Sequence, residues 1–159
     1  MFCEHCGDTN GEETGIDHDE RDCPWYDDAG SWTADELEAV LRETAEGSPH
    51  RTAAVELLTA HGVWLPRLAE REDLMATDAE TSEVYDLDWA ALAEAANGAQ
   101  LAASGSELGI LAIAASLADS SVPVRLGDAL SSLDATNLDR VLTAIATANG
   151  RPEAGERHV

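Results

Sequence analysis

The sequence predicts an all-α protein, a bundle of five or six short helices behind a small N-terminal zinc knuckle. Three observations lead to this prediction. Apolar residues recur with helical spacing between residues 31 and 150, no stretch alternates with period two for long enough to indicate a sheet, and all three cysteines fall within residues 1–30. The expected organisation is an acidic zinc-knuckle segment at 1–30, a helical bundle domain at 31–150 and a flexible tail at 151–159.

Capping residues mark the first two helices. Thr33 and Glu36 fit the capping-box pattern, so a first helix is expected to run from there to about residue 46. Ser48 before Pro49 is a second N-cap, and Gly62 is a suitable stop for the helix that follows. The short connection between the two helices predicts antiparallel neighbours.

The rest of the chain gives one mixed stretch and then four helices. Between residues 63 and 85 the signal is mixed: the sequence permits a short helix at 66–75 and predicts an exposed polar loop at 76–83. The later helices are expected at about 86–97, 108–118, 126–133 and 134–149. The segment at 108–118 is apolar on every side, which places it at the centre of the domain. The last helix is expected to carry one apolar face, made of Leu138, Val141, Leu142, Ile145 and Ala148.

Four residues near the N-terminus have the chemistry and spacing of a zinc site. Cys3 and Cys6 are separated by two residues, and His18 and Cys23 follow after a loop that can return two further ligands. Three thiolates and one imidazole complete a tetrahedral site and leave no open position, so the ion is expected to be structural. The odd number of cysteines and a reducing compartment argue against a disulfide framework.

Two alternatives to this ligand set stay open. His5 lies between the two thiols and competes with His18 for the fourth position. The other interpretation is an acidic segment with incidental cysteines, because residues 1–30 carry ten acids, one base and too few apolar residues for a core. The acids at 17–22 lack the spacing of a calcium-binding EF-hand loop.

The composition restricts the location and the partners. Among 159 residues there are 32 acids and nine arginines but no lysine, and the formal net charge is −23. Nucleic-acid affinity comes mainly from Lys and Arg, so direct nucleic-acid binding is not expected. The sequence shows neither a secretory leader nor an apolar run near the length of a membrane span, which predicts a cytoplasmic protein without membrane contact.

The four tryptophans are candidates for either the core or an interface. Trp89 is expected in the core by its spacing, Trp32 beside the start of the first helix, and Trp25 folded back against the bundle. Burial is the expectation for each of them. Trp64, in the break between two helices, is the candidate for exposure and partner contact.

Seven short segments between residues 61 and 150 form a recognisable series. They are His61-Gly62-Val63-Trp64-Leu65, Asp86-Leu87-Asp88-Trp89-Ala90-Ala91, Ser104-Gly105-Ser106-Glu107, Leu111 to Ala118, Leu126-Gly127-Asp128-Ala129-Leu130, Leu133-Asp134-Ala135-Thr136-Asn137 and Ala148-Asn149-Gly150. Together these segments resemble small, functionally uncharacterised helical proteins of high-GC Gram-positive bacteria. The resemblance implies neither an activity nor site residues, and it does not reach the cysteine segment.

Enzyme signatures are missing from the sequence, so a non-enzymatic role is expected. Without lysine there is no Walker loop, no G-x-S-x-G, H-E-x-x-H or G-x-G-x-x-G motif occurs, and His50 and His61 have no evident catalytic partner. We expect an acidic adaptor or regulator that binds a protein with a basic surface. The alternatives are a DNA mimic of phage or mobile-element origin that inhibits a nucleic-acid-binding enzyme and, behind it, an enzyme with a carboxylate site.

Overall fold

A computed structural model of the chain describes residues 32–151. This range is mostly helical, with one small two-stranded sheet. Its elements are α1 (Ala34–Ala45), α2 (Pro49–His61), α3 (Trp64–Ala69), a 3-10 turn (Glu72–Leu74), β1 (Met75–Thr77), β2 (Val84–Leu87), α4 (Trp89–Asn97), α5 (Gly105–Ala118), α6 (Leu126–Ser131) and α7 (Ala135–Ala148). The helical class is therefore confirmed for this range. The range contains seven helices where five or six were expected, and a small sheet that was not expected.

Local signals set the ends of the first two helices as predicted. The Thr33 hydroxyl accepts from the backbone N–H of Glu36, and the Glu36 carboxylate accepts in return from the Thr33 N–H at 2.9 Å. These reciprocal bonds satisfy amide groups that a helix start leaves free. Ser48 caps α2 with Pro49 in its first turn, and Gly62 ends it in the left-handed conformation with φ +73°.

Helix α5 lies at the centre of the domain, as its sequence predicts. Seven of its residues are buried, and it contacts α2, α4, α6 and α7. The side chains of Ile110, Leu111 and Ala114 are completely enclosed. The helix begins earlier than expected, because Ser104 and Glu107 form a second capping box one turn ahead of residue 108.

The region between α3 and α4 differs from the sequence prediction. Residues 66–75 do not form one helix, because α3 ends at Ala69 and Met75 already belongs to β1. β1 and β2 pair antiparallel with Met75 opposite Leu87, and both of these side chains are buried. The polar segment expected as a loop thus closes a hairpin, and α4 begins at Trp89 only after this strand.

In the part of the chain that the structure describes, no helix is long and apolar enough to cross a membrane. The longest helices, α5 and α7, have 14 residues each, whereas a span needs about 20 apolar residues.

Candidate functional site

The last helix carries an exposed apolar stripe. Val141 and Ala144 of α7 are buried, whereas Leu138 and Ile145 are 39% and 44% exposed, and Leu142 between them is half-buried. Residues at i, i+4 and i+7 lie on one side of a helix. Leu138, Leu142 and Ile145 therefore form a continuous line, the α7 stripe, beside the buried face. The apolar face that the sequence predicts for this helix is therefore only partly buried.

A buried amide fixes the first turn of α7 against α5. Asn137 is 5% exposed, and its side-chain nitrogen donates to Ser106 Oγ at 2.8 Å and to Asp134 Oδ2 at 3.1 Å. Its side-chain oxygen accepts from Arg140 at 2.7 Å, and its backbone N–H donates to Asp134 Oδ1 at 2.8 Å. A fully bonded buried amide specifies one arrangement of the helices around it. The α7 stripe is thus presented on a helix with a defined position.

His61 lies at the end of α2, close to charged groups of α3, α5 and α7. Its Nδ1 atom is buried and has no hydrogen-bond partner among residues 32–151. Burial lowers the pKa of His61, and the charge of Arg140 lowers it further. Glu107 and Asp134 act in the opposite direction on this pKa, and Arg67 lowers it slightly. The folded protein therefore favours the neutral imidazole.

Acidification is expected to destabilise the fold through His61. Because its pKa is lower in the folded chain than the ordinary value near 6.5, the unfolded chain takes up the proton first as the pH falls. The stability contributed by the neutral ring is complete above about pH 6.5 and is lost as the pH falls through the folded-state pKa. In urea unfolding at a series of pH values, His61→Gln should lose less stability on acidification than the wild type.

The control for this pH experiment is His50→Gln, which removes an exposed histidine from the same helix. If the wild type, His61→Gln and His50→Gln showed the same pH dependence, His61 would have no part in the acid sensitivity.

Trp64 is buried, as expected for each tryptophan, so it is not the exposed candidate that its place between two helices suggested. The residue is 1% exposed, and its indole Nε1 donates to the backbone oxygen of Glu107 at 2.9 Å. The guanidinium of Arg67 lies 5.6 Å from the centre of the ring. Trp89 is buried as expected, and Trp32 is half-buried against the core. The described tryptophans thus belong to the core or its edge, and Trp64 is not available as an interface anchor.

A buried carboxylate joins the hairpin to α2 and α4. Asp86 in β2 is 5% exposed, and its Oδ1 accepts from the Leu87 N–H at 2.8 Å and from Trp89 Nε1 at 3.1 Å. Its Oδ2 pairs with Arg51 Nη1 at 2.5 Å. Both carboxylate oxygens are occupied by groups of the protein, which indicates a structural role.

An open groove of about 540 Å³ runs beside α5 and α6. The two helices approach closely there because Gly109 has no side chain, and a Cβ at this position would lie 3.0 Å from the backbone oxygen of Ala129. The charged residues of its wall, Arg125 and Asp128, have side chains that are 92% and 79% exposed. His61 is not part of this wall. The groove and the histidine with the lowered pKa are therefore separate features.

The predicted zinc ligands Cys3, Cys6, His18 and Cys23 lie outside the described residues, as does the competing His5. Within residues 32–151, no group of three or more His, Cys, Asp or Glu side chains could hold a metal ion. The zinc site of the N-terminal segment stays a prediction.

Sequence reasoning found the apolar residues of α7 but missed that part of them faces outward. The signal in the sequence was the width of the apolar face of this helix. Viewed down the helix axis at 100° per residue, this face covers an arc of roughly 160°, with Ala144 at one edge and Leu142 at the other. Such an arc is wider than the stripe of about 100° that a surface helix needs for its core contact. The part of the apolar arc beyond this width could have been interpreted as a second contact face.

Comparison of the chain with protein-family models, with curated proteins and with solved structures found no match.

Proposed function

We propose that this protein is a non-enzymatic acidic adaptor or regulatory protein that binds a protein partner through the α7 stripe. The proposal depends on one observation, the exposure of Leu138 and Ile145 in line with the half-buried Leu142. Single exposed apolar residues are ordinary on protein surfaces. A line of them at i, i+4 and i+7 is the pattern by which helices engage other proteins.

Site-specific photo-crosslinking in the native host tests this function. A photoreactive side chain in place of Ile145 in the full-length chain should give a discrete covalent adduct with one protein. The matched control places the same group at Glu94, an exposed position of α4, where no such adduct is expected. Adding Leu138→Ser to the Ile145 variant should reduce the adduct about tenfold. Equal adducts at both positions, or none at position 145, would contradict the proposal.

The DNA-mimic function is the alternative, and the hairpin region favours it. Five exposed acids occur within residues 72–83, namely Glu72, Asp73, Asp78, Glu80 and Glu83. A mimic needs carboxylates arrayed along one face, since B-DNA presents about one charge per 1.7 Å of its axis. If duplex DNA suppressed the adduct at position 145 while Leu138→Ser left it intact, the mimic would replace the adaptor as the better explanation.

We also propose that Cys3, Cys6, His18 and Cys23 hold a structural zinc ion that orders the N-terminal segment. Support comes from the ligand spacing and from the scarcity of apolar residues in 1–30, which leaves metal binding as the source of folding free energy. The helical domain contains its own core of buried apolar residues.

Removal of one thiolate is expected to abolish zinc binding. Full-length protein purified without added metal should contain about one zinc ion per chain, and Cys6→Ala should contain none, because three ligands hold the ion far more weakly than four. His18→Ala should also lose the metal, whereas His5→Ala should retain it. Elemental analysis with thiol titration checks this, and a wild-type chain with three reactive thiols and no zinc would exclude the site.

A further inference from the structure

The outer border of the α7 stripe is acidic. At 100° per residue, Asp139 is the first charged residue beyond Leu142 on the side that turns away from the bundle, and it is exposed. Arg140 lies on the side of α7 opposite the stripe, where it donates to the side-chain oxygen of Asn137. The apolar line is thus bordered toward solvent by a carboxylate and by no cation of its own helix.

We infer that the segment which docks on the α7 stripe is a cationic amphipathic helix, an inference that rests on the proposed function. Residues 32–151 contain 20 acids and seven arginines, and the whole chain has a net charge of −23. A second copy of the chain would bring the same excess of negative charge to the contact, which opposes association. A segment rich in Lys and Arg is instead attracted over long distance and gains a pairing site at Asp139.

The shape of the stripe favours a helix as the occupant. From Leu138 to Ile145 it extends about 10 Å, or two helical turns, at 1.5 Å per residue. Side chains in an i, i+4 row form a ridge, and such a ridge packs into the groove between rows on a second helix. A partner helix with apolar residues at i, i+4 and i+7 covers the stripe, and Lys or Arg beside them reaches Asp139.

Binding of a designed peptide to the full-length chain tests the inference. The probe is a fluorescein-labelled leucine and lysine amphipathic helix of about 18 residues, long enough to form helix on binding, and the readout is fluorescence anisotropy. Leu138→Ser with Ile145→Ser should weaken binding about tenfold or more. The matched control, Leu126→Ser with Leu130→Ser on α6, removes side chains of similar exposure, 47% and 38%, and should leave the affinity unchanged.

A second variant separates charge from apolar contact. Asp139→Lys keeps the stripe and should lower the affinity for the cationic peptide several-fold. The matching peptide of leucine and glutamate should not bind the wild type. The inference falls if the α6 double variant loses as much affinity as the α7 double variant, or if the glutamate peptide binds equally well. It also falls if the wild type sediments as a dimer that the α7 double variant converts to monomer. An adduct at position 145 alongside failed peptide binding would refute the cationic helix and leave the proposed function standing.

Discussion

Trp64→Ala is expected to lower the free energy of unfolding by about 3–5 kcal/mol, the usual cost of deleting a large buried aromatic side chain. The ring is almost completely enclosed, and its indole N–H is bonded to the backbone oxygen of Glu107 in the first turn of α5. Alanine leaves a cavity between α3 and the neighbouring helices and removes that bond. The loss is a large fraction of the 5–15 kcal/mol by which domains of this size are stable.

Urea unfolding monitored by circular dichroism measures the effect of this substitution. Trp64→Phe should cost about 1–2 kcal/mol, because phenylalanine keeps most of the apolar contact but cannot donate to Glu107. Tyr85→Ala is the control, since Tyr85 is 51% exposed and its removal should change stability little. A loss below about 1 kcal/mol for Trp64→Ala would mean that the ring is exposed and not buried.

The ends of the first two helices were predictable from the sequence because the determinants of each end lie within four residues of each other. The capping box at Thr33, the Ser48-Pro49 start and the Gly62 stop all occur where the pattern places them. The central position of α5 was also predictable, since a helix without a polar side must be surrounded by other elements. These features need no knowledge of which helices meet.

The hairpin could not be predicted because its stability depends on distant residues. β1 has three residues and β2 has four, which is too short for an alternating pattern to be recognised. The strands are held by groups far away in sequence, for example the Thr44 hydroxyl, which donates to the backbone oxygen of Tyr85, and the Arg51 guanidinium on Asp86. Nothing in residues 75–87 alone indicates these contacts.

The degree of exposure of Trp64 and of the α7 stripe could not be decided from the sequence, for the same physical reason in both cases. Periodicity identifies which residues share a helix face, but the neighbours decide how much of that face is covered. Trp64 belongs to helix α3, which contacts α1 and α2, and its ring is buried. The contacts of α7 with α2 and α5 cover only the side of that helix that carries Val141. The candidate binding surface could therefore be recognised only after the helices were placed.

The second large effect is expected at the buried ion pair, where Asp86→Asn should cost about 2–3 kcal/mol. Asparagine has the same shape, but its amide group carries two donors where Asp86 offers only acceptors to Leu87, Trp89 and Arg51. The NH₂ group of the asparagine must then either point at the Arg51 guanidinium or take the place of the oxygen that accepts a hydrogen bond from the buried N–H groups. We place the cost below the 3–5 kcal/mol typical of broken buried pairs, because the Arg51 side chain is 37% exposed and can regain water.

A double-mutant cycle with Arg51→Gln isolates the pair from its surroundings. If the two groups stabilise the fold mainly through each other, Arg51→Gln with Asp86→Asn should cost about 1–2 kcal/mol less than the sum of the single variants. The reference is Asp73→Asn, which breaks the exposed pair with Arg71 and should leave the unfolding midpoint nearly unchanged despite bond lengths of 2.7 and 2.8 Å. Strict additivity at Arg51 and Asp86 would show that the hydrogen bonds from Leu87 and Trp89, and not the ion pair, hold the hairpin on the helices.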